Sequence, residues 1–168
     1  MTAEKRRAAI MVQLTAADQP ISATALAKTF GVSRQIVVGD VALLRAGGAE
    51  IAATPRGYVL SREQPGLMRR LACCHSSSGM EQELNIMVDH GCTVLDVVVE
   101  HPVYGQLTGA LQLKSRYDVE QFIRRSAKTK PLSLLTEGIH LHTLLCPDEE
   151  SFLRVQRALG EAGYLLKE

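Results

Sequence analysis

The sequence predicts an α+β chain in two parts: a small helical module closed by a β-hairpin over residues 1–62, and an antiparallel sheet with helices on one face over residues 68–168. Three observations carry that reading. Helical periodicity fills the first forty-eight residues and then gives way to two short β-runs. The polar stretch "SREQPGLM", with Pro65 and Gly66, places a boundary near residues 62–67. Beyond it, strand-like and helix-like segments alternate in the order β-α-β-β-α-β-α.

In the first part, "EKRRAAIMVQLTAADQP" sets Ala8, Ile10, Met11 and Leu14 on one helical face and stops near Asp18-Gln19-Pro20. Ser22 caps a short second helix presenting Leu26 and Phe30, and Gly31 supplies the left-handed residue that ends it. Ser33 then opens a third helix, "SRQIVVGDVALLRAGG", which ends at Gly47-Gly48 and buries Val37, Val41 and Leu44 together with Val32. Helix, glycine turn and helix form a helix-turn-helix. "AEIAATPRGYVL" adds two strands, Ile51–Ala53 and Tyr58–Leu60, around a Thr54-Pro55-Arg56-Gly57 turn, so the module is a winged helix.

The candidate DNA contacts follow from that arrangement. Ser33, Arg34, Gln35, Val38 and Gly39 occupy the outer face at the start of the third helix, the part that enters a major groove in this motif. Arg pairs with guanine, Gln with adenine, and Val38 suits a thymine methyl, whereas Gly39 offers no side chain. Arg56 at the wing tip is placed to reach a phosphate or the minor groove. Charge agrees: residues 1–62 carry eight Lys/Arg against four Asp/Glu, and the remainder carries eleven against fourteen. No apolar run is long enough to span a bilayer and no signal peptide stands at the N-terminus. The four cysteines, Cys73, Cys74, Cys92 and Cys146, form no CxxC pair or disulfide framework. A cytoplasmic protein with reduced thiols is the expectation.

In the second part, "LMRRLACCH" predicts a strand and "SGMEQELNIMVDHG" a helix. "CTVLDVVVE" and "QLTGALQLK" predict strands joined through "HPVYG". "SRYDVEQFIRRSAK" predicts a helix, "PLSLLTEGIHLHTLLC" a strand or a hairpin, and "PDEESFLRVQRALGEAGY" the last helix.

Five histidines lie in this part. His140 and His142 share one face of a strand, ~6.6–6.8 Å apart, a spacing from which two imidazoles converge on one cation. His75 ends the first strand, and a carboxylate, Glu81 or Glu83, follows in the next helix. Three imidazoles and one carboxylate suit nickel, zinc or iron. Helical phase leaves the glutamate open. Ser78-Gly79-Met80-Glu81 reads as a capping box that employs Glu81, so Glu83 is preferred. Cys73 and Cys146, at even spacing from His75 and His142, are alternatives to the carboxylate. His90, before Gly91, reads as a helix C-terminal residue, and His101 as a turn or pocket residue.

The order of parts resembles the niacin-responsive transcriptional repressors, a winged helix fused to a three-histidine domain. The residues that carry the likeness are "FGVSRQIVVGDVALLRAGG", "HSS", "VVEHPVYG", "SRYDVEQFI" and "GIHLHT", and it extends over nearly the whole chain. The resemblance implies an HPr-like fold for the second part, and a divalent metal held by His75, Glu83, His140 and His142. It further implies a homodimer that binds operator DNA of genes for nicotinate uptake or NAD synthesis when nicotinic acid is abundant. Nicotinic acid, or a related pyridine, would dock beside the metal. Ser115 and Arg116 at a helix start suit its carboxylate, and His101 and Tyr104 its ring. Two other readings stand beside this one: a regulator for which the metal is itself the signal, and a metal-dependent hydrolase. The hydrolase is disfavoured because no further base or nucleophile motif accompanies the histidines.

Overall fold

The computed structural model describes residues 1–61 and 65–167; Arg62, Glu63 and Gln64, within the expected boundary at 62–67, lie outside the described residues. The chain divides into two compact units, Met1–Glu63 and Gln64–Glu168.

The first unit contains α1 (Ala3–Ala16), α2 (Ala23–Phe30), α3 (Arg34–Ala46) and the antiparallel hairpin β1 (Ile51–Thr54) and β2 (Gly57–Leu60). Local chemistry sets the boundaries. Ser22 Oγ accepts the Ala25 N–H at 3.0 Å, Gly31 leaves α2 in the left-handed region, and Ser33 Oγ accepts the Ile36 N–H at 3.3 Å. Ile10, Leu14, Leu26, Val37, Val41 and Ile51 close the core. One charge is buried with them. Asp40 of α3 receives Arg6 Nε at 2.6 Å and lies 3.5 Å from an Arg7 guanidinium nitrogen, which ties α1 to α3. The wing lies against the chain before α2, where Ile21 and Tyr58 exchange backbone hydrogen bonds of 2.9 and 2.8 Å. Gly57, at φ +139°, is required there, because a Cβ would stand 2.4 Å from the Ile21 backbone.

The second unit contains β3 (Leu67–Cys74), α4 (Met80–Asp89), β4 (Thr93–His101), β5 (Gly105–Leu113), α5 (Arg116–Ser126), β6 (Ile139–Cys146) and α6 (Glu149–Glu161). The strands form one sheet in the order β3-β6-β4-β5 with every neighbour antiparallel. Alternation sends Leu71 and Cys73 of β3, and Leu144 and Cys146 of β6, into the core. There they meet Leu84, Met87 and Val88 of α4, Val119 of α5 and Phe152, Val155 and Leu159 of α6.

Two local expectations change. The segment "PLSLLTEGIHLHTLLC" is not a hairpin: a 3-10 turn over Leu132–Thr136 leads through Glu137 and Gly138, both with positive φ, into the single strand β6. The capping box is absent as well. The chain makes a 3-10 turn over Ser77–Gly79, Ser78 Oγ pairs with Ser76 Oγ at 2.7 Å, and α4 starts after Gly79 with no side-chain cap.

Leu144 lies at the centre of this core and is fully buried. Leu144→Ala is expected to lower stability by about 2–5 kcal/mol in urea unfolding, and a loss below about 1 kcal/mol would contradict this packing.

Candidate metal centre and nucleic-acid interface

Strand alternation places His140 and His142 on the helix-facing side of β6, continuing the row of Leu144 and Cys146. β3 runs beside it with Cys73 opposite His140 and Leu71 opposite His142. His75 leaves β3 two residues beyond Cys73, and α4 crosses this side with Glu83 pointing inward. Glu83 is 1% exposed, and His140 and His142 are each 3% exposed.

All three imidazoles aim Nε2 at the Glu83 carboxylate. The distances are 2.7 Å from His75 to Oε2, 2.9 Å from His140 to Oε1, and 3.4 Å from His142 to Oε2. Each Nδ1 has a different task. It meets a backbone carbonyl: Ser76 at 2.7 Å for His75, Gly138 at 2.8 Å for His140, and Asp96 at 2.7 Å for His142. A carbonyl oxygen only accepts, so all three Nδ1 atoms carry hydrogen. In the neutral ring the Nε2 lone pair then faces the carboxylate, which is the tautomer of a metal ligand with its second nitrogen anchored.

Lone pairs of three imidazoles and a carboxylate repel unless positive charge lies among them. Protons supply it in the metal-free protein. Burial opposes the charged forms, yet Glu83 holds His75 and His142 above the ordinary imidazole value. Burial likewise raises the Glu83 carboxyl, but the imidazoles, His142 foremost, pull it well below the carboxylate range. One atom remains unsatisfied. In the neutral ring, with its hydrogen on Nδ1, the buried His75 Nε2 stands 2.7 Å from Glu83 Oε2 with no hydrogen between them. A divalent cation fits this donor set, because it takes up the lone pairs that hydrogen bonding leaves over.

Glu83, not Glu81, is the carboxylate among the histidines; Glu81 is exposed. Cys146 is occupied elsewhere, with its thiol 2.8 Å from that of Cys92. Cys73 is close: its sulfur, a Glu83 oxygen and a His140 nitrogen all lie within 4.8 Å of one another. His90 is the C-cap residue of α4. The four residues assigned to a pyridine have local partners, and Arg116 lines a cavity with Ser78, Gln82 and Asp89. Ser115 caps α5 by accepting the Asp118 N–H at 3.2 Å, and Arg116 is bound through Nε to Asp89 at 2.7 Å. His101 Nδ1 accepts the N–H groups of Val103 and Tyr104 at 3.1 and 3.2 Å, so it braces the β4–β5 turn. That turn lies four residues along β4 from Val97, the partner of His142, or about 13 Å.

Sequence reasoning missed two supports of the cluster. Gly138, at φ +91°, passes so close to His75 that a Cβ would stand 2.5 Å from the His75 carbonyl oxygen. Its own carbonyl anchors His140. Tyr164, after the last helix, sets its ring edge-on to His75 with centroids 5.0 Å apart, and its hydroxyl donates to Gln82 Oε1 at 2.5 Å. Glycine before "IHLHT" was a usable signal for the first; nothing marked the second.

On the first unit, Ser33, Arg34, Gln35 and Gly39 are exposed along one side of α3, and Val38 is half-buried. Space around Gly39 is open. Arg56 does not stand out from the wing: its guanidinium donates to Gln19 Oε1 at 3.1 Å.

Comparison with known proteins agrees with both units. A 3H domain model matches residues 68–168 and a helix-turn-helix domain model matches residues 6–59. The chain is 41% identical over 167 residues to the probable transcription repressor NiaR of Thermotoga maritima, covering 98% of this chain and 95% of the relative. The chain belongs to the 3H-domain transcription repressors. A second member, the transcription repressor NadR of Bacillus subtilis, is 42% identical over 169 residues, with 97% and 94% covered. Both relatives are named as transcription repressors, which sets the chain among regulators rather than among hydrolases. No helix among the described residues is long and apolar enough to cross a membrane.

The protonated cluster gives a signed pH dependence. Raised imidazole values stabilise the metal-free chain fully below the ordinary 6.5, and this contribution is lost as pH rises through the folded values. The depressed Glu83 value stabilises above the ordinary 4.5 and is lost as pH falls through the folded value. The cluster therefore contributes most between 4.5 and 6.5. With chelator, the melting temperature is expected to fall from pH 6.5 to pH 8.5 relative to the nickel- or zinc-loaded protein, because the cation replaces the lost protons. Parallel profiles with and without metal would contradict this.

Proposed function

We propose that this chain is a DNA-binding transcription repressor of genes for niacin uptake or NAD synthesis, with nicotinic acid as co-repressor and one divalent transition metal in its 3H domain. The observation that carries the reading is the convergence of three Nδ1-anchored imidazoles on the buried Glu83, in a chain that also carries a winged helix. The relatives named as repressors support the regulatory role.

His75, His140 and His142 through Nε2, with Glu83, would hold the cation, which when bound supplies a positive centre for a pyridine carboxylate. The other steps belong to the chain itself. His140 and His142 are enclosed, so an aromatic acid approaches from the His75 side, where the half-buried Tyr164 ring covers the imidazole. Tyr164 must turn aside or stack on the ligand. Movement there is felt by β3, because the Cys74 N–H donates to the Tyr164 carbonyl at 2.8 Å. Ligand shifts the repressor toward its operator-binding arrangement only by its difference in affinity for the two arrangements.

Operator recognition falls to the exposed start of α3. Arg34 and Gln35 read base edges, Ser33 stands at the helix N-terminus, where a phosphate is favoured, and Val38 lies against the groove. Arg56 assists once its guanidinium leaves Gln19. A homodimer matches two half-sites ~34–36 Å apart. Metal sensing, with the cation alone as signal, is the second reading, supported by the enclosure of the cluster.

Two experiments test this. In fluorescence anisotropy with operator DNA, Arg34→Ala is expected to cost about 1–3 kcal/mol, or roughly tenfold or more in affinity. Unchanged affinity would remove α3 from recognition. The double variant His140→Ala, His142→Ala is expected to keep salt-sensitive DNA binding and lose the gain in operator affinity on adding nicotinic acid. A retained gain would refute the metal-linked scheme, and a metal-dependent gain without nicotinic acid in the parent protein would favour metal sensing.

A further inference from the structure

We propose that Cys73 is a fifth donor of the metal centre, binding the cation as a thiolate beside His75, Glu83, His140 and His142. The inference rests on the metal reading above and adds to it the ligand that neutralises the site.

Geometry comes first. Cys73 is the β3 residue paired with His140 and precedes His75 by two, so the pleat turns its side chain to the histidine side of the sheet. Its neighbour Cys74 faces the other way. The Cys73 sulfur has zero exposure and shares a 4.8 Å neighbourhood with a Glu83 oxygen and a His140 nitrogen. Two donors on opposite sides of one such ion stand ~4.4 Å apart, so little contraction is needed.

Charge gives the second argument. With no acid ligand bound, a dication with Glu83 as its one anionic ligand leaves a net positive charge among buried side chains, which is unfavourable. In that ligand-free state the ionised Cys73 brings the sum to zero. Asp96, the other carboxylate acting on His142, is engaged instead by the Thr143 N–H at 3.1 Å. Without the cation the buried side chain is a thiol. On loading, the S–H bond breaks heterolytically. Its electron pair stays on sulfur to form the metal–sulfur bond, and the proton leaves to solvent. A sulfur donor also biases the site toward nickel, zinc or iron and away from magnesium or manganese.

Cobalt(II) is the probe. The chelated full-length protein is titrated with cobalt, its bound cobalt is measured by elemental analysis, and the near-ultraviolet region is read for a thiolate-to-cobalt charge-transfer band. The parent protein is expected to bind one equivalent and show the band. Cys73→Ser is expected to bind cobalt and lose the band, while Cys146→Ser keeps it. Stoichiometric cobalt without the band, or a band surviving in Cys73→Ser, would overturn the proposal and leave the histidine–glutamate reading standing. Failure of the parent to bind cobalt would overturn both. Should Cys73→Ser not fold, X-ray absorption of the cobalt-loaded parent decides: a sulfur shell at ~2.3 Å supports Cys73, and a shell of only nitrogen and oxygen excludes it.

Discussion

Three imidazoles share one carboxylate inside the 3H domain, and the surrounding structure is arranged around keeping them there. Glu83, 1% exposed, would be a costly charge on its own. It is tolerated because His75, His140 and His142 present Nε2 to it while their Nδ1 atoms are held by main-chain carbonyls. The anchors come from three places: the turn after β3, the approach to β6 and the middle of β4. Unfolding any of them releases a ring. Fold and site are thus one construction, with the sheet order β3-β6-β4-β5 putting the histidine strand β6 between two of its own anchors.

Much of this was legible in the residues. "HLH" within an apolar run declares two rings on one face, since strand alternation leaves them no other arrangement. The caps Ser22, Ser33 and Ser115 were equally plain, because a hydroxyl ahead of an apolar periodic run has a local partner. Choosing between Glu81 and Glu83 was harder. Both flank the same apolar stripe of α4, and the difference is made by how the helix packs on the sheet, which buries Glu83 and leaves Glu81 exposed, a tertiary matter. The capping box, a purely local argument, favours the glutamate that lies among the histidines, but for a reason the structure does not support.

Arg116, Ser115, His101 and Tyr104 show how much residue type alone leaves open. Each has the chemistry to meet a pyridine carboxylate; Arg116, Ser115 and His101 also hold local partners, and Arg116 lines a cavity with Gln82, whose amide oxygen accepts from the Tyr164 hydroxyl beside His75. Residue type announces a capability, and neighbourhood decides its use. Tyr164 is the converse case: nothing in "EAGYLLKE" marks it, and only the return of the chain beside β3 brings it to His75. Gly138 belongs with it, a residue defined by what its missing Cβ permits.

The central claim is that the Nε2 atoms of His75, His140 and His142 and the carboxylate of Glu83 surround a single cation. An anomalous-difference map from crystals of the nickel- or zinc-loaded protein, collected on both sides of the metal edge, tests it most directly. The account predicts one peak per chain, ~2.0–2.2 Å from each Nε2 and from a Glu83 oxygen, with every Nδ1 still on its carbonyl. A peak bound through Nδ1, or located away from Glu83 with the three rings unmoved, would contradict it.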